Sequence, residues 1–313
     1  MQVLFVLPTP PVPPQSGLAL RAYGLLRGLA ETSTGTDLTL DVLCFRDAAA
    51  PPSREPVPFI RRMHTVVAPA WRKPQRIRAL ATSDLPDLAH RLDCPDMREQ
   101  FTAMLRETHY DAVIYMGLEM AIYMAAGKRT APQTVHIYDA QNVEHLLQRQ
   151  MAEIDRRAFS RLPASWYSSV QSRRILAVER RVVAEADAVT AVSAQDAEQL
   201  ARFRADRQVT VIENGIFVGD YSGVEPSIEL QGEPLVFTGK MDYRPNVDAI
   251  HWFSSDILPR IQSRRPQARL YAVGQKPHPS LLAYSSHADI EITGWVPSVV
   301  PFLFAADVYV APL

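Results

Sequence analysis

Short runs of β-branched and apolar residues, each followed by a stretch with helical spacing, recur along the whole 313-residue chain. A run without polar alternation marks a strand buried on both faces, which is what a parallel sheet covered by helices supplies. Val3 to Leu7 is the first such run. The loop after it carries Ser16-Gly17, and Leu18, Leu20, Leu25, Leu26 and Leu29 then mark a helix before a second run, Leu38 to Phe45. That is a βαβ unit. Further strands are expected at His64 to Ala68, Ala112 to Tyr115, Thr134 to Tyr138, Ala188 to Val192 and Val209 to Ile212. The longest helical pattern covers Ala164 to Ala186, with Ile175, Val178, Val182 and Ala186 on one stripe. Ser193 reads as the N-cap of a helix over Ala194 to Phe203.

Residues 219–234 turn polar and lose periodicity, as a linker would. The pattern then restarts, with strands at Leu235 to Thr238, Arg269 to Val273, Ile290 to Thr293 and Val308 to Ala311. Helices are expected at Val247 to Gln262, near Pro279 to Tyr284, and at Val299 to Ala305. Two alternations in series predict two Rossmann-like, doubly wound α/β domains, 1–218 and 235–313, joined by the linker.

Composition excludes several functions. With 33 basic and 34 acidic residues the net charge is −1, so the chain has no nucleic-acid footprint. The two cysteines, Cys44 and Cys94, form no CxxC pair and read as small core or surface residues rather than a disulfide framework. The first residues lack a basic region and a long apolar stretch, so a cytoplasmic protein is expected. No two of the 13 glycines are separated by one residue, so the GxGxxG dinucleotide fingerprint is missing, as are a Walker A loop, HExxH and GxSxG. The eight histidines show no metal spacing, and no metal or cofactor is expected.

Ligands of open parallel sheets bind beyond the carboxyl ends of the strands. The second domain puts a glycine there three times: Gly239, Gly274 and Gly294. Any one could be a βα turn, but three along one edge point to a ligand approaching the backbone.

The run Phe237-Thr-Gly-Lys-Met-Asp-Tyr-Arg-Pro-Asn-Val-Asp-Ala249 resembles the donor-domain opening of bacterial glycosyltransferase family 4. Gly274 in Ala-Val-Gly, then Thr293-Gly-Trp-Val-Pro297 and Ala306-Asp-Val-Tyr-Val-Ala-Pro312, follow in that family's order. In the first domain Pro13-Pro-Gln-Ser-Gly-Leu-Ala-Leu-Arg21, Asp139-Ala-Gln-Asn-Val-Glu144, Val192-Ser193 and Glu213-Asn-Gly215 also match. The subgroup most similar makes exopolysaccharide or belongs to exosortase-associated clusters.

The resemblance implies a GT-B fold, its two domains facing a cleft, and transfer of a sugar from a nucleotide-sugar to a glycan or lipid-linked acceptor, with retention of configuration. Gly239 and Lys240 would then approach the diphosphate, where Arg244 could supply a further cation. Asn246 and Gly274 would also border the donor, and backbone around Trp295, Val296 and Pro297 would meet the base. Ser16, Gly17 and Arg21 would border the acceptor side. Asp139 and Glu119 are the candidate catalytic carboxylates; helix capping competes for Asp139, and a solvated surface position for Glu119. Gln141 stands where relatives often have histidine, so no histidine role carries over.

Relatives also continue past the last strand into a helix bearing an E-x7-E pair, and the resemblance implies a chain stopped short of it, with impaired transfer and an apolar edge of Val308, Val310 and Leu313. A nucleotide-sugar epimerase on the same fold and a non-catalytic nucleotide-sugar-binding module are the alternatives.

Arg54 to Arg78 holds seven basic residues against one acid. Arg61, Arg62, Trp71, Arg72 and Lys73 would suit an anionic membrane surface, or an ordinary solvated face. The eight arginines from Arg149 to Arg181 read mainly as the polar face of long helices.

Overall fold

A computed structural model describes residues 1–14, 16–33, 37–49, 56–157, 159–204, 208–221 and 227–312. Arg54, Leu313, part of the expected linker and the side chain of Lys73 lie outside the described residues. The chain divides into two compact units, Met1–Ile216 and Phe217–Leu313.

The first unit carries seven strands among the described residues: β1 (Gln2–Leu7), β2 (Thr39–Arg46), β3 (Arg62–Val67), β4 (Ala112–Met116), β5 (Val135–Ala140), β6 (Ala188–Ala191) and β7 (Thr210–Val211). All pair in parallel, in the order β3-β2-β1-β4-β5-β6-β7. The chain leaves β1 in one direction for β2 and β3 and returns on its other side for β4, so the winding reverses between β1 and β4. Phe5, Leu7, Val42 and Leu26 pack on one face of the sheet, and Leu4, Val6, Tyr138, Ile175, Val178 and Val182 on the other. Both faces are therefore covered, which is why the strands read as unbroken apolar runs. Cys44 and Cys94 are both buried and unbridged, and burial pushes the Cys44 thiol up to about 12.

The long helix spans Leu162–Glu185 and buries the expected stripe, and Ser193 caps Ala194–Ala201 by accepting from the Asp196 amide at 3.1 Å. At the amino edge Asp41 is fully buried and accepts from Arg61, Arg62 and Tyr110. Burial would raise its carboxyl, but these donors win and hold it down at about 2. Arg61 and Arg62 thus serve a buried carboxylate instead of forming a free basic patch. Trp71 likewise donates to Asp87 at 2.6 Å and stacks on His90.

The second unit has β8 (Glu233–Thr238), β9 (Ala268–Val273), β10 (Ile290–Gly294) and β11 (Val308–Tyr309), parallel in the order β10-β9-β8-β11. Its winding reverses between β8 and β11. The helix expected at Val247 to Gln262 starts at Arg244 and opens into a π turn at Phe253–Ile257 before resuming at Leu258–Gln262. Pro259 explains the widening, since it has no N–H to give the preceding turn and its ring crowds that turn's carbonyl.

Candidate functional site

At the carboxyl edge of the second unit, Gly239 follows β8 and Gly274 follows β9. The two loops are tied: Gly239 N–H donates to the Val273 carbonyl at 3.1 Å and Met241 N–H to the Gln275 carbonyl at 2.9 Å. A Cβ on Gly274 would lie 1.7 Å from the Gly239 carbonyl oxygen, and one on Gly239 would lie 2.6 Å from Asn246 Nδ2. Gly274 has no room for a side chain because main chain blocks it, whereas at Gly239 the obstacle is the movable end of the Asn246 side chain. The edge there is bare main chain. Asn246 closes the first loop by donating to the Lys240 carbonyl at 3.0 Å. Gly294, after β10, has φ 70°, and a Cβ there would meet open space. Its reason is the left-handed backbone, not crowding.

Charged side chains stand around this edge. Lys240 is exposed, 3.3 Å from Asp242, and Arg244 lies 3.6 Å from Asp248 at the start of its helix. The positive end of that helix's dipole points the same way. Lys276 was not singled out from the sequence. It is exposed and held at φ 56°, a left-handed conformation costly for a residue with a Cβ, one residue past the Gln275 carbonyl that ties the loops. Trp295 is 60% exposed beyond β10, Val296 packs on the sheet beside Tyr271 and Val273, and Pro297 is exposed.

In the first unit Ser16 caps the helix Gly17–Thr32, its Oγ accepting from the Ala19 amide at 3.2 Å. Ser16 and Gly17 are exposed at the end of β1, beside the winding reversal, and nothing lies within 4 Å of a Cβ on Gly17. Arg21 is different: it is buried. Its guanidinium forks onto Asp139, Nη2 to Oδ1 at 2.6 Å and Nε to Oδ2 at 2.9 Å, and Nη1 reaches the Ile212 carbonyl at 2.7 Å and Asn214 at 3.0 Å.

Asp139 lies inside β5, also accepts from Thr190 and from Gln141, and is 1% exposed. It neither caps the next helix nor offers a free oxygen; it locks β5, β6 and the first helix together. The amino end of the helix Glu144–Arg156 is satisfied instead by Glu179, whose Oε1 accepts from the Glu144 amide at 2.8 Å.

Glu119 is not a solvated surface carboxylate. Its side chain is 13% exposed, beyond the end of β4, with Arg91 at 3.6 Å. Burial raises its carboxyl, and Arg91 pulls the other way. Glu144, half-buried beyond β5, is raised to about 7 by burial first and then by the charge of Glu119. Glu144 drew no attention in the sequence as an ionisable group, because a glutamate opening a helix looks like a dipole partner. The Tyr138 hydroxyl, fully buried beneath this group, has no hydrogen-bond partner among the described residues, and burial together with Glu179, Glu144, Glu119 and Asp139 pushes it well up. Among the described residues no group of three or more His, Cys, Asp or Glu is placed to hold a metal ion.

The family model for the glycosyl transferase 4-like domain matches residues 16–215, and that for glycosyl transferases group 1 matches residues 232–313. The chain belongs to the family 4-like, group 1 glycosyltransferases. No curated protein sequence matches it.

Among solved structures, this glycosyltransferase is similar to sucrose-phosphate synthase from Thermosynechococcus elongatus, at 16% identity and TM-score 0.63, over 99% of this chain and 75% of that one. An E. coli structure described as trehalose-6-phosphate bound with UDP-2-fluoro glucose matches at 10% identity and TM-score 0.54, over 98% and 77% of the two chains. The S. aureus MnaA–UDP structure matches at 13% and 0.52, over 96% and 71%. At such identities the likeness shows the fold alone, which is GT-B type.

Proposed function

We propose that this glycosyltransferase takes its sugar from a nucleotide-sugar held at the carboxyl edge of the second unit. The observation that carries this is the contact of Gly239 with Gly274, which leaves bare main chain at that edge with Lys240, Arg244 and Lys276 around it. Cations there would offset the charge that builds on a leaving diphosphate, so the reading needs no divalent metal. The exposed Trp295 with Val296 and Pro297 would receive the base. The E. coli and S. aureus relatives were solved with UDP-2-fluoro glucose and UDP, which favours a nucleoside diphosphate as the shared ligand chemistry.

The acceptor would lie against Ser16, Gly17 and the Glu119–Glu144 pair in the first unit. A glycan or lipid-linked acceptor, retention of configuration and a place in cell-surface polysaccharide synthesis at the inner face of the membrane complete the reading. Calorimetry with a panel of nucleoside diphosphate sugars, followed by transfer assays and NMR of the product anomer, tests it. Binding that Lys240→Ala weakens supports the donor site, and absence of binding across the panel overturns it. Conversion of the donor without any acceptor would make the protein an epimerase.

A further inference from the structure

Helices Glu144–Arg156 and Leu162–Glu185 form an antiparallel hairpin. Ser172 Oγ–H donates to the His145 carbonyl at 2.9 Å near its base, and Ser165 Oγ–H to the Ala152 carbonyl at 2.8 Å nearer the turn. The base sits at the carboxyl edge of the first sheet, where the Glu144 amide meets Glu179. From there the 13-residue first helix runs outward. At 1.5 Å per residue that is about 20 Å.

Its far end is apolar and unusually bare. Phe159 is 90% exposed and Trp166 62%, with Leu162 and Ile154 also exposed. Leu162 and Trp166 are four residues apart, so they share a face. The helix Lys73–Thr82 lies alongside: Arg76 Nη2 donates to the Tyr167 hydroxyl at 3.0 Å, and Arg174 Nη2 to the Leu80 carbonyl at 2.8 Å. Ile77 on that helix is 69% exposed. The fold thus gathers two basic stretches far apart in sequence. Residues 72–78 and 149–166 together hold eight basic residues against two acids. One of those acids, Asp155, is buried and 3.7 Å from Arg161, and the other, Glu153, pairs with Arg149.

An exposed aromatic patch rimmed by arginines matches the two attractions of an anionic bilayer: apolar insertion at the boundary of headgroups and acyl chains, and phosphate pairing above it. We infer that the hairpin turn, with Phe159 and Trp166 as its anchors, docks this protein on an anionic lipid surface. Docking there turns the carboxyl edge of the first sheet, with Ser16, Gly17 and Glu119, toward the bilayer. It also separates the membrane contact from Arg61, Arg62 and Trp71, whose polar groups are used inside the unit.

Co-sedimentation of the full chain with vesicles of phosphatidylglycerol and phosphatidylcholine, or of phosphatidylcholine alone, tests the inference. Binding to the anionic vesicles should be at least about tenfold tighter than to the neutral ones and should weaken with salt. Phe159→Ser with Trp166→Ser should lower it at least about tenfold, and Arg156→Gln with Arg157→Gln about tenfold, with thermal melting unchanged. Leu282→Ser, an exposed apolar residue of the second unit, should bind as the parent does. A parent chain that stays in the supernatant, or a Phe159/Trp166 variant that binds equally well, overturns the inference. So does a parent dimer that this variant dissociates without any vesicle binding, which would make the patch an interface between copies. Vesicle binding requires no sugar transfer, so its failure would leave the donor reading intact.

Discussion

At the carboxyl edge of the first sheet charged side chains face one another, Arg21 against Asp139 and Arg91 against Glu119, whereas at the same edge of the second sheet Lys240 and Lys276 stand exposed beside bare main chain. Both sheets wind the same way, so topology offers each a ligand edge. The side chains decide how each is used. In the first unit most polar groups hold the unit's own elements in register, and Ser16, Gly17 and the Glu119–Glu144 carboxylates are the groups the proposed function gives to a substrate. In the second, hydrogen bonds of the main chain shape the edge, and Lys240 and Arg244 have exposed ion-pair partners, Asp242 and Asp248.

The comparison breaks first, and hardest, at Arg21. Arg21→Ala strands a buried carboxylate with Thr190 and Gln141 as its remaining partners. It should cost about 3–5 kcal/mol in urea unfolding, while Arg21→Met with Asp139→Leu should recover most of that. A loss under about 1 kcal/mol would show that the pair does not hold the edge together.

Glu144 sharpens the same side through pH. Its proton is held up to about 7 in the folded chain against 4.5 when free, so folding is favoured most below 4.5 and loses that support as pH rises through 7. The loss amounts to at most about 3 kcal/mol. Glu144→Gln should match the parent in melts near pH 4.5 and exceed it at pH 8. Equal differences at both pH values would remove the carboxylate pair from the comparison.

On the second side, Gly274→Ala forces the Gly239 carbonyl to move. It should cost about 1–3 kcal/mol and abolish nucleotide-sugar binding in calorimetry. Lys240→Ala and Lys276→Ala should each weaken that binding about tenfold, or about 1.4 kcal/mol, with melting temperature unchanged. If either lysine variant melts markedly lower instead, the second edge is structurally engaged like the first.

The central strands were legible because they are buried on both faces and read as continuous apolar runs, as Val3 to Leu7 does. The short edge strands β7 and β11 are exposed and were placed by the strand-helix alternation. The helix Glu144–Arg156 was harder, since its outer half carries Arg149, Glu153 and Arg156 with an exposed Ile154. The three edge glycines were found from position alone. Their reasons differ, crowding at Gly239 and Gly274 and backbone sign at Gly294, and spacing does not carry that distinction. Arg21 and Asp139 were both picked out, but their pairing spans 118 residues and no local pattern encodes it. Lys276 escaped because its conformation, not its neighbours in sequence, singles it out.

The tie between Gly239 and Gly274 also constrains engineering. A library that randomises both codons and selects only for soluble, folded protein should return glycine at 274, where main chain blocks a Cβ, and tolerate small residues at 239, where Asn246 can move aside. On the proposed donor reading, changes in donor preference would have to come from Lys240, Lys276 and Trp295, because Gly274 is a hinge pin rather than a dial.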